Sequence, residues 1–257
     1  MDVSAGFLEE PRARGAFPAR DSPHDGGYTE RAARVPGAVL WTRTLDPAHG
    51  PVEPVLPDGC MDLLWLEDGS GELRIAGPDT RAHRPAADTV TRYAGIRFAP
   101  GAAPAWLGVP AHELRDRGVG LADLWPSARV RRLTERIGAA ADPAAELEAV
   151  AVDLAGAAAP PDPLLAGIVG ALRSGATVAE TARLTGLGPR LLHRRSLTAF
   201  GYGPKTLARV LRLQRALALA RAGVPFAETA ARAGYTDQAH LSRDVKDLTG
   251  LTLRGLV

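Results

Sequence analysis

Ala179-Glu180-Thr181-Ala182…Gly186 recurs as Ala227-Glu228-Thr229-Ala230…Gly234, an offset of 48. After one extra residue in the turn region, Leu192-His193-Arg194 and Gly201 return as Leu241-Ser242-Arg243 and Gly250, an offset of 49. Each copy meets the physical requirements of a helix-turn-helix. A small residue (Ala182, Ala230) lets the second helix pack closely against the first. A glycine four residues later (Gly186, Gly234) permits the tight turn. An apolar residue (Leu192, Leu241) anchors the second helix in a core. One match would be weak, because Ala…Gly…Leu spacing is common in helical proteins; two in tandem define a duplicated all-α unit.

The second helices divide by face. In 237–248, Leu241, Val245 and Leu248 form the inner stripe, and Gln238, Ala239, Ser242, Arg243 and Lys246 share the opposite face. In the first copy Arg190, His193 and Arg194 lie at i, i+3 and i+4, with Leu192 turned inward. Glutamine can bond adenine bidentately, arginine can bond guanine likewise, and lysine suits a phosphate. His240 falls between the faces. Between the motifs, 204–220 reads as one long helix with proline in its first turn. At about 1.5 Å per residue it spans roughly 25 Å, a spacer compatible with two recognition helices in successive major grooves about 34 Å apart.

Charge supports the same partner. The net charge of +2 conceals an asymmetry: residues 160–257 hold 14 Lys+Arg against 6 Asp+Glu, a net of +8, and the remainder is net −6. A local cationic excess suits a polyanion, because neutralising phosphates releases condensed counterions.

Ahead of the hinge GAAAPPDP (156–163), where prolines halt any helix, the chain is organised differently. Residues 1–27 are rich in Pro, Gly, Arg and Asp without periodicity and predict a flexible tail. Residues 28–126 predict a β-rich domain, with short runs VLWTRTL, MDLLWLEDGSGELRIAG and TRYAGIRF separated by Pro57-Asp58-Gly59 and Asp68-Gly69, forming an antiparallel sheet or small barrel. Residues 127–161 predict a helical linker region, with helices over 127–137 and 143–154; 162–257 form the double helix-turn-helix domain. The fold class is therefore α+β. With a single cysteine, Cys60, the chain has no internal disulfide and no site built on several thiolates; Cys60 is expected as a small buried residue. No run is apolar enough for a spanning helix and the N-terminus has no signal-peptide pattern, so a cytoplasmic protein with no membrane partner is expected.

ARAGYTDQAHLSRDVKDLTG (231–250) resembles the C-terminal signature of the AraC/XylS regulators. VAETARLTGLGPRLLHRR (178–195) and FGYGPKTLARVLRLQRALAL (200–219) resemble that family's first motif and linker helix. The resemblance covers about 162–252. It implies a seven-helix domain, sequence-specific binding to double-stranded DNA, and activation through contact with RNA polymerase. By position it places base reading on Arg190, His193 and Arg194 and on Gln238, Ala239, His240 and Arg243. Lys205 and Lys246 are the candidate contacts to the DNA backbone. Ser196 stands where the family usually has a core phenylalanine, and Leu253 where it has proline; the first motif's packing and a short last helix are the places expected to be atypical.

LPDGCMDLLWL (56–66), IAGPDT (75–80), GIRFAPGAAPAWLGVPAHEL (95–114) and LADLW (121–125) resemble a β-rich, loosely cupin-like domain of unassigned function that precedes this DNA-binding unit in many regulators. Paired histidines with a carboxylate are absent, since His49, His83 and His112 are scattered, so neither a metal nor another cofactor is expected. Such domains bind effectors or dimerise. Trp41, Trp65, Arg97, Phe98 and Trp106 are candidates to line a small-molecule effector pocket, and a homodimer is the other role. Arg97 stands out because a semi-buried guanidinium needs an anionic partner. The competing reading is a DNA-repair or other enzyme fused to the DNA-binding unit; an alkyl-transfer module would need an activated cysteine, and a lone Cys60 offers little for it.

Overall fold

The computed structural model describes residues 27–49, 52–67, 71–85 and 89–257; the expected flexible tail, Gly27 apart, and the Asp68-Gly69 turn lie outside the described residues. Alternating apolar residues build six antiparallel strands: β1 (Thr29–Ala32), β2 (Val39–Leu45), β3 (Met61–Glu67), β4 (Glu72–Ala76), β5 (Thr91–Phe98) and β6 (Gly118–Gly120). Their order is β1-β2-β5-β3-β4-β6, with β1 and β6 at the two edges, so the architecture is a sheet and not a closed barrel. The three β-runs read from the sequence supply β2 to β5. The short edge strands β1 and β6 carry too few apolar residues to have been read.

Because side chains alternate across a strand, each strand contributes to two environments. Leu40, Leu63, Trp65, Ile96 and Phe98 face a hydrophobic core, while Trp41, Asp62 and Arg97 point to the other side. The core face is closed by α1 (Ala103–Leu107), α2 (Ser127–Gly138) and α3 (Pro143–Ala157), which bring Leu107, Ile137, Leu147, Val150 and Leu154 into the same cluster as Leu63 and Ile96. The segment expected as a helical linker is thus corrected: α2 and α3 are the cover of the sheet, because a sheet with one apolar face must bury it against something. Their amphipathic spacing was legible, but its target was not. A cluster centred on the buried Glu148 ties α3 to β1 and the segment after it. Glu148 receives Arg31 at 2.9 Å, the Arg34 backbone N–H at 2.8 Å and the Arg34 guanidinium at 3.2 Å.

After Asp162, whose side chain caps the first turn, six helices follow: α4 (Pro163–Arg173), α5 (Val178–Leu184), α6 (Pro189–Phe200), α7 (Pro204–Arg221), α8 (Phe226–Ala233) and α9 (Gln238–Thr249). The seventh helix implied by the family resemblance is a single 3-10 turn, Leu253–Gly255, with Leu253 buried. α7 is one unbroken helix with Pro204 at its start, as its spacing predicts. The two motifs hold separate cores: Ile168, Leu172, Leu192, Phe200 and Leu207 in the first, Leu213, Leu217, Tyr235, Leu241 and Val245 in the second. No helix among the described residues is long and apolar enough to cross a membrane.

The β-rich domain docks on both motifs. Leu56 enters the second motif's core, the Pro57 carbonyl accepts from Gln214 Nε2 at 2.7 Å, and the Ala82 N–H donates to the Leu248 carbonyl at 2.7 Å. On the first motif, Gly201, at φ +81°, sits so close to Pro78 and Ala111 that a Cβ there would lie 2.5 Å from Pro78 Cγ and 3.2 Å from the Ala111 carbonyl.

Candidate nucleic-acid interface

Each motif is built by the chemistry its sequence carries. α5 begins on a reciprocal capping box: the Glu180 N–H donates to the Thr177 hydroxyl and the Thr177 N–H to the Glu180 carboxylate at 2.7 Å. The Thr177 backbone N–H, and after it the Thr177 hydroxyl, hold the Glu180 carboxyl below its ordinary range. The turns are the same structure twice. Gly186 and Gly234 take left-handed backbone at φ +66° and +86°, and the equivalent bonds Leu187 N–H to Ala182 carbonyl and Tyr235 N–H to Ala230 carbonyl are both 2.9 Å. Ala182, Ala230, Leu192 and Leu241 are buried, as close packing of the two helices requires.

The outward faces are bare. Arg190, His193 and Arg194 on α6, and Gln238, Ala239, Ser242, Arg243 and Lys246 on α9, are all exposed, as is Lys205 on the first turn of α7. His240 differs: it is half-buried, its ring edge-on to Tyr235 with centroids 5.2 Å apart and Nδ1 3.3 Å from the Thr236 hydroxyl. It therefore sits between the faces, as the helical spacing indicates. Asp237 caps α9 by accepting from the His240 N–H at 2.7 Å, whereas α6 starts at Gly188-Pro189 with no side-chain cap.

A charge strap on each recognition helix escaped the sequence reading. On α9, Asp244 is buried and meets two arginines of α7: Arg209, which also reaches Asp247 at 3.0 Å, and Arg212 at 3.3 Å. The Tyr235 hydroxyl donates to Asp244 at 3.1 Å, and the Arg212 guanidinium lies over the Tyr235 ring at 4.4 Å. On α6 the position equivalent under the repeat is Arg195, and it pairs at 2.6 Å with Asp162, the residue that caps α4. Each recognition helix is thus tied to the helix preceding its motif at one repeat position, with the charges exchanged. The available signal was a carboxylate three residues from Leu241, on the inner side of α9, facing an arginine pair at i, i+3 on α7.

Ser196 is fully buried, and its hydroxyl has no hydrogen-bond partner among the described residues. Phe200 and Tyr202 belong to the same motif's core and lie beside the β-rich domain, next to Gly101 and Gly59.

The five residues considered for an effector pocket are divided between the two faces of the sheet. Trp65 and Phe98 are in the helix-covered core, Phe98 edge-on to Trp106 at 5.2 Å. Trp41 and Arg97 lie on the other face, with Trp41 so close over Gly95 that a Cβ there would overlap its ring at 2.3 Å. The five do not line one cavity, because adjacent positions Arg97 and Phe98 necessarily point apart. The anionic partners of Arg97 come from the protein: Asp58 at 3.4 Å, Asp62 at 3.5 Å and Glu30 at 3.7 Å. Trp41 Nε1 also donates to Asp62 at 2.7 Å. Burial pushes the Asp62 carboxyl up to about 6 against the pull of Arg97. Cys60 is buried beside this cluster and burial raises its thiol well above the ordinary range, so it is held as a thiol. Among the described residues no three His, Cys, Asp or Glu side chains are gathered as a metal ion would need.

Comparison with known proteins agrees with this division. Residues 181–256 match a helix-turn-helix domain family, and residues 38–120 match a domain of unknown function. No curated protein matches the chain. Among solved structures, a probable AraC family transcriptional regulator from Rhodopseudomonas palustris CGA009 is similar at 22% identity over 37% of this chain and 94% of that one, with a TM-score of 0.33. ToxT from Vibrio cholerae is similar at 8% identity over 85% and 97%, TM-score 0.46. Unsaturated fatty acid bound wild-type ToxT from strain SCE256 is similar at 10% identity over 88% and 96%, TM-score 0.47. The chain therefore carries a helix-turn-helix domain of the matching family at 181–256 behind a domain of unknown function at 38–120.

Proposed function

We propose that the protein is a sequence-specific transcription activator that reads two successive major grooves with α6 and α9. The observation that carries this is the pair of bare recognition faces, Arg190, His193 and Arg194 on one helix and Gln238, Ala239 and Arg243 on the other, each helix strapped to the one that precedes its motif. α7, 18 residues long, spans about 27 Å, which suits a groove repeat of about 34 Å once the packed ends are added. Lys205 and Lys246 take phosphates, and His240 fixes the start of α9 through Tyr235 and Thr236. The β-rich domain, docked on both motifs, senses a small molecule or dimerises the protein and passes the result to the reading helices. RNA polymerase is the partner through which binding becomes activation.

A mobility-shift series on the DNA upstream of the gene tests this reading. A preference over unrelated duplex that persists at physiological salt is expected. Arg243→Ala should alter site preference, whereas Lys246→Ala should weaken all duplexes alike and flatten the salt dependence. Loss of all preference in the unaltered protein, or equal loss on every duplex from Arg243→Ala, overturns the assignment.

A further inference from the structure

We propose that Arg81, from the β-rich domain, extends the DNA-binding surface by taking a backbone phosphate together with Lys246 of α9. This inference rests on the DNA-reading assignment above. The segment after β4 is delivered to the second recognition helix by a rigid scaffold. Its Ala82 N–H caps the Leu248 carbonyl at 2.7 Å, one of the carbonyls a helix end leaves without an internal partner. One residue further, His83 exchanges backbone hydrogen bonds with Val55 at 2.8 and 3.1 Å. The neighbouring Leu56 and Pro57 are the residues embedded against α7. On the other side of Arg81 the Thr80 N–H donates to Asp116 at 2.6 Å, so Arg81 is anchored at both neighbours and not carried on a loose loop.

Between the two domains at this point lies a cleft of about 390 Å³ lined by Arg81, Ala82, Lys246, Asp247, Thr249 and Gly250. Arg81 and Lys246 are exposed, and neither has a hydrogen-bond or ion-pair partner for its side chain among the described residues. Asp247, the one carboxylate in the lining, is already paired with Arg209. Two cations from different domains thus flank one opening with no anion of their own. Lys246 lies three and four residues beyond Arg243 and Ser242, on the same stripe of α9, so the cleft borders the reading face. A phosphodiester supplies the missing charge in a geometry an arginine fork accepts. Arg84, also basic, is turned away to the Val52 carbonyl.

A second role for Arg81 must be separated from this one, because a cation near a helix C-terminus is favourable with no DNA present. The two differ in salt dependence. Each phosphate contact contributes about 0.9 to the slope of log K against log salt, so losing one should shrink the affinity change between 50 and 200 mM salt by about 3.5-fold. In the full-length protein Arg81→Ala is expected to lower the slope by about one on cognate and unrelated duplex alike, with base preference and thermal stability unchanged, and Arg81→Lys is expected to keep the slope. An unchanged slope in Arg81→Ala, or a lower melting temperature with an unchanged slope, overturns the proposal. If Lys246→Ala flattens the slope and Arg81→Ala does not, this inference alone fails. If the unaltered protein shows no sequence preference, the DNA-reading assignment fails with it.

Discussion

Glu148→Gln is the perturbation whose consequence the structure defines most closely. The carboxylate is buried under α3, with 4% of its side chain exposed, and accepts from Arg31, from the Arg34 backbone and from the Arg34 guanidinium. The Arg31 hydrogen bond, outweighing burial, holds the Glu148 carboxyl down at about 2 against an ordinary 4.5. A difference of that size corresponds to about 3 kcal/mol of linkage. Both arginines are more than half exposed and water screens them, so about 2 kcal/mol is the expected contribution. The sign follows from the depressed value: the stabilisation is complete above pH 4.5 and is lost as pH falls through about 2. Denaturant titration of the unaltered and Glu148→Gln proteins at a series of pH values should show a gap of about 2 kcal/mol at pH 7 that narrows between pH 4.5 and 2. The comparison at equal pH removes the titration of every other carboxylate. A gap that stays constant over that range, or no gap at pH 7, would refute the reasoning, because glutamine keeps the shape but removes the charge and turns one accepting oxygen into a donor.

Three further outcomes are expected. Asp244→Ala, which leaves Arg209, Arg212 and Tyr235 facing a vacated buried position, should cost about 2–3 kcal/mol and should speed hydrogen exchange in α9 more than in α6; equal effects on both helices would contradict the strap. Gly201→Ala and Gly250→Ala share a left-handed backbone, at φ +81° and +71°, but only Gly201 faces Pro78 and the Ala111 carbonyl. Gly250→Ala should therefore cost about 1 kcal/mol and Gly201→Ala at least about 1 kcal/mol more, and equal losses in denaturant titration would show that the docked interface is not tight. Asp62, raised to about 6 by burial, binds its proton more tightly folded than unfolded. Its linkage therefore strengthens the fold as pH falls through about 6, and Trp41 fluorescence should titrate there and cease to do so in Asp62→Asn.

The duplicated motif was legible because it depends on local chemistry. A positive-φ glycine, a small residue at a helix contact and an apolar residue one turn into the next helix are requirements of one segment on itself, and the sequence spells each twice. The exposed stripes of α6 and α9 followed from the 3.6-residue period. The capping box at Thr177 and Glu180 is equally local. Strands β2 to β5 announced themselves by alternation, and the hinge at 156–163 by its prolines.

What the tertiary structure alone decided involves partners distant in sequence. Glu148 meets Arg31 and Arg34, Asp244 meets Arg209 and Arg212, and Arg97 finds its anions in Asp58, Asp62 and Glu30. An amphipathic helix displays an apolar stripe without saying what it covers, so α2 and α3 read as a linker although they close the sheet's core. The candidate pocket failed to assemble for a related reason: composition gathers aromatic residues together, and the pleat of β5 then sends Arg97 and Phe98 to opposite faces. The sequence by itself determined the second helix of each motif; the fold alone determined that the β-rich domain docks on both motifs, because docking depends on surfaces that no single segment encodes.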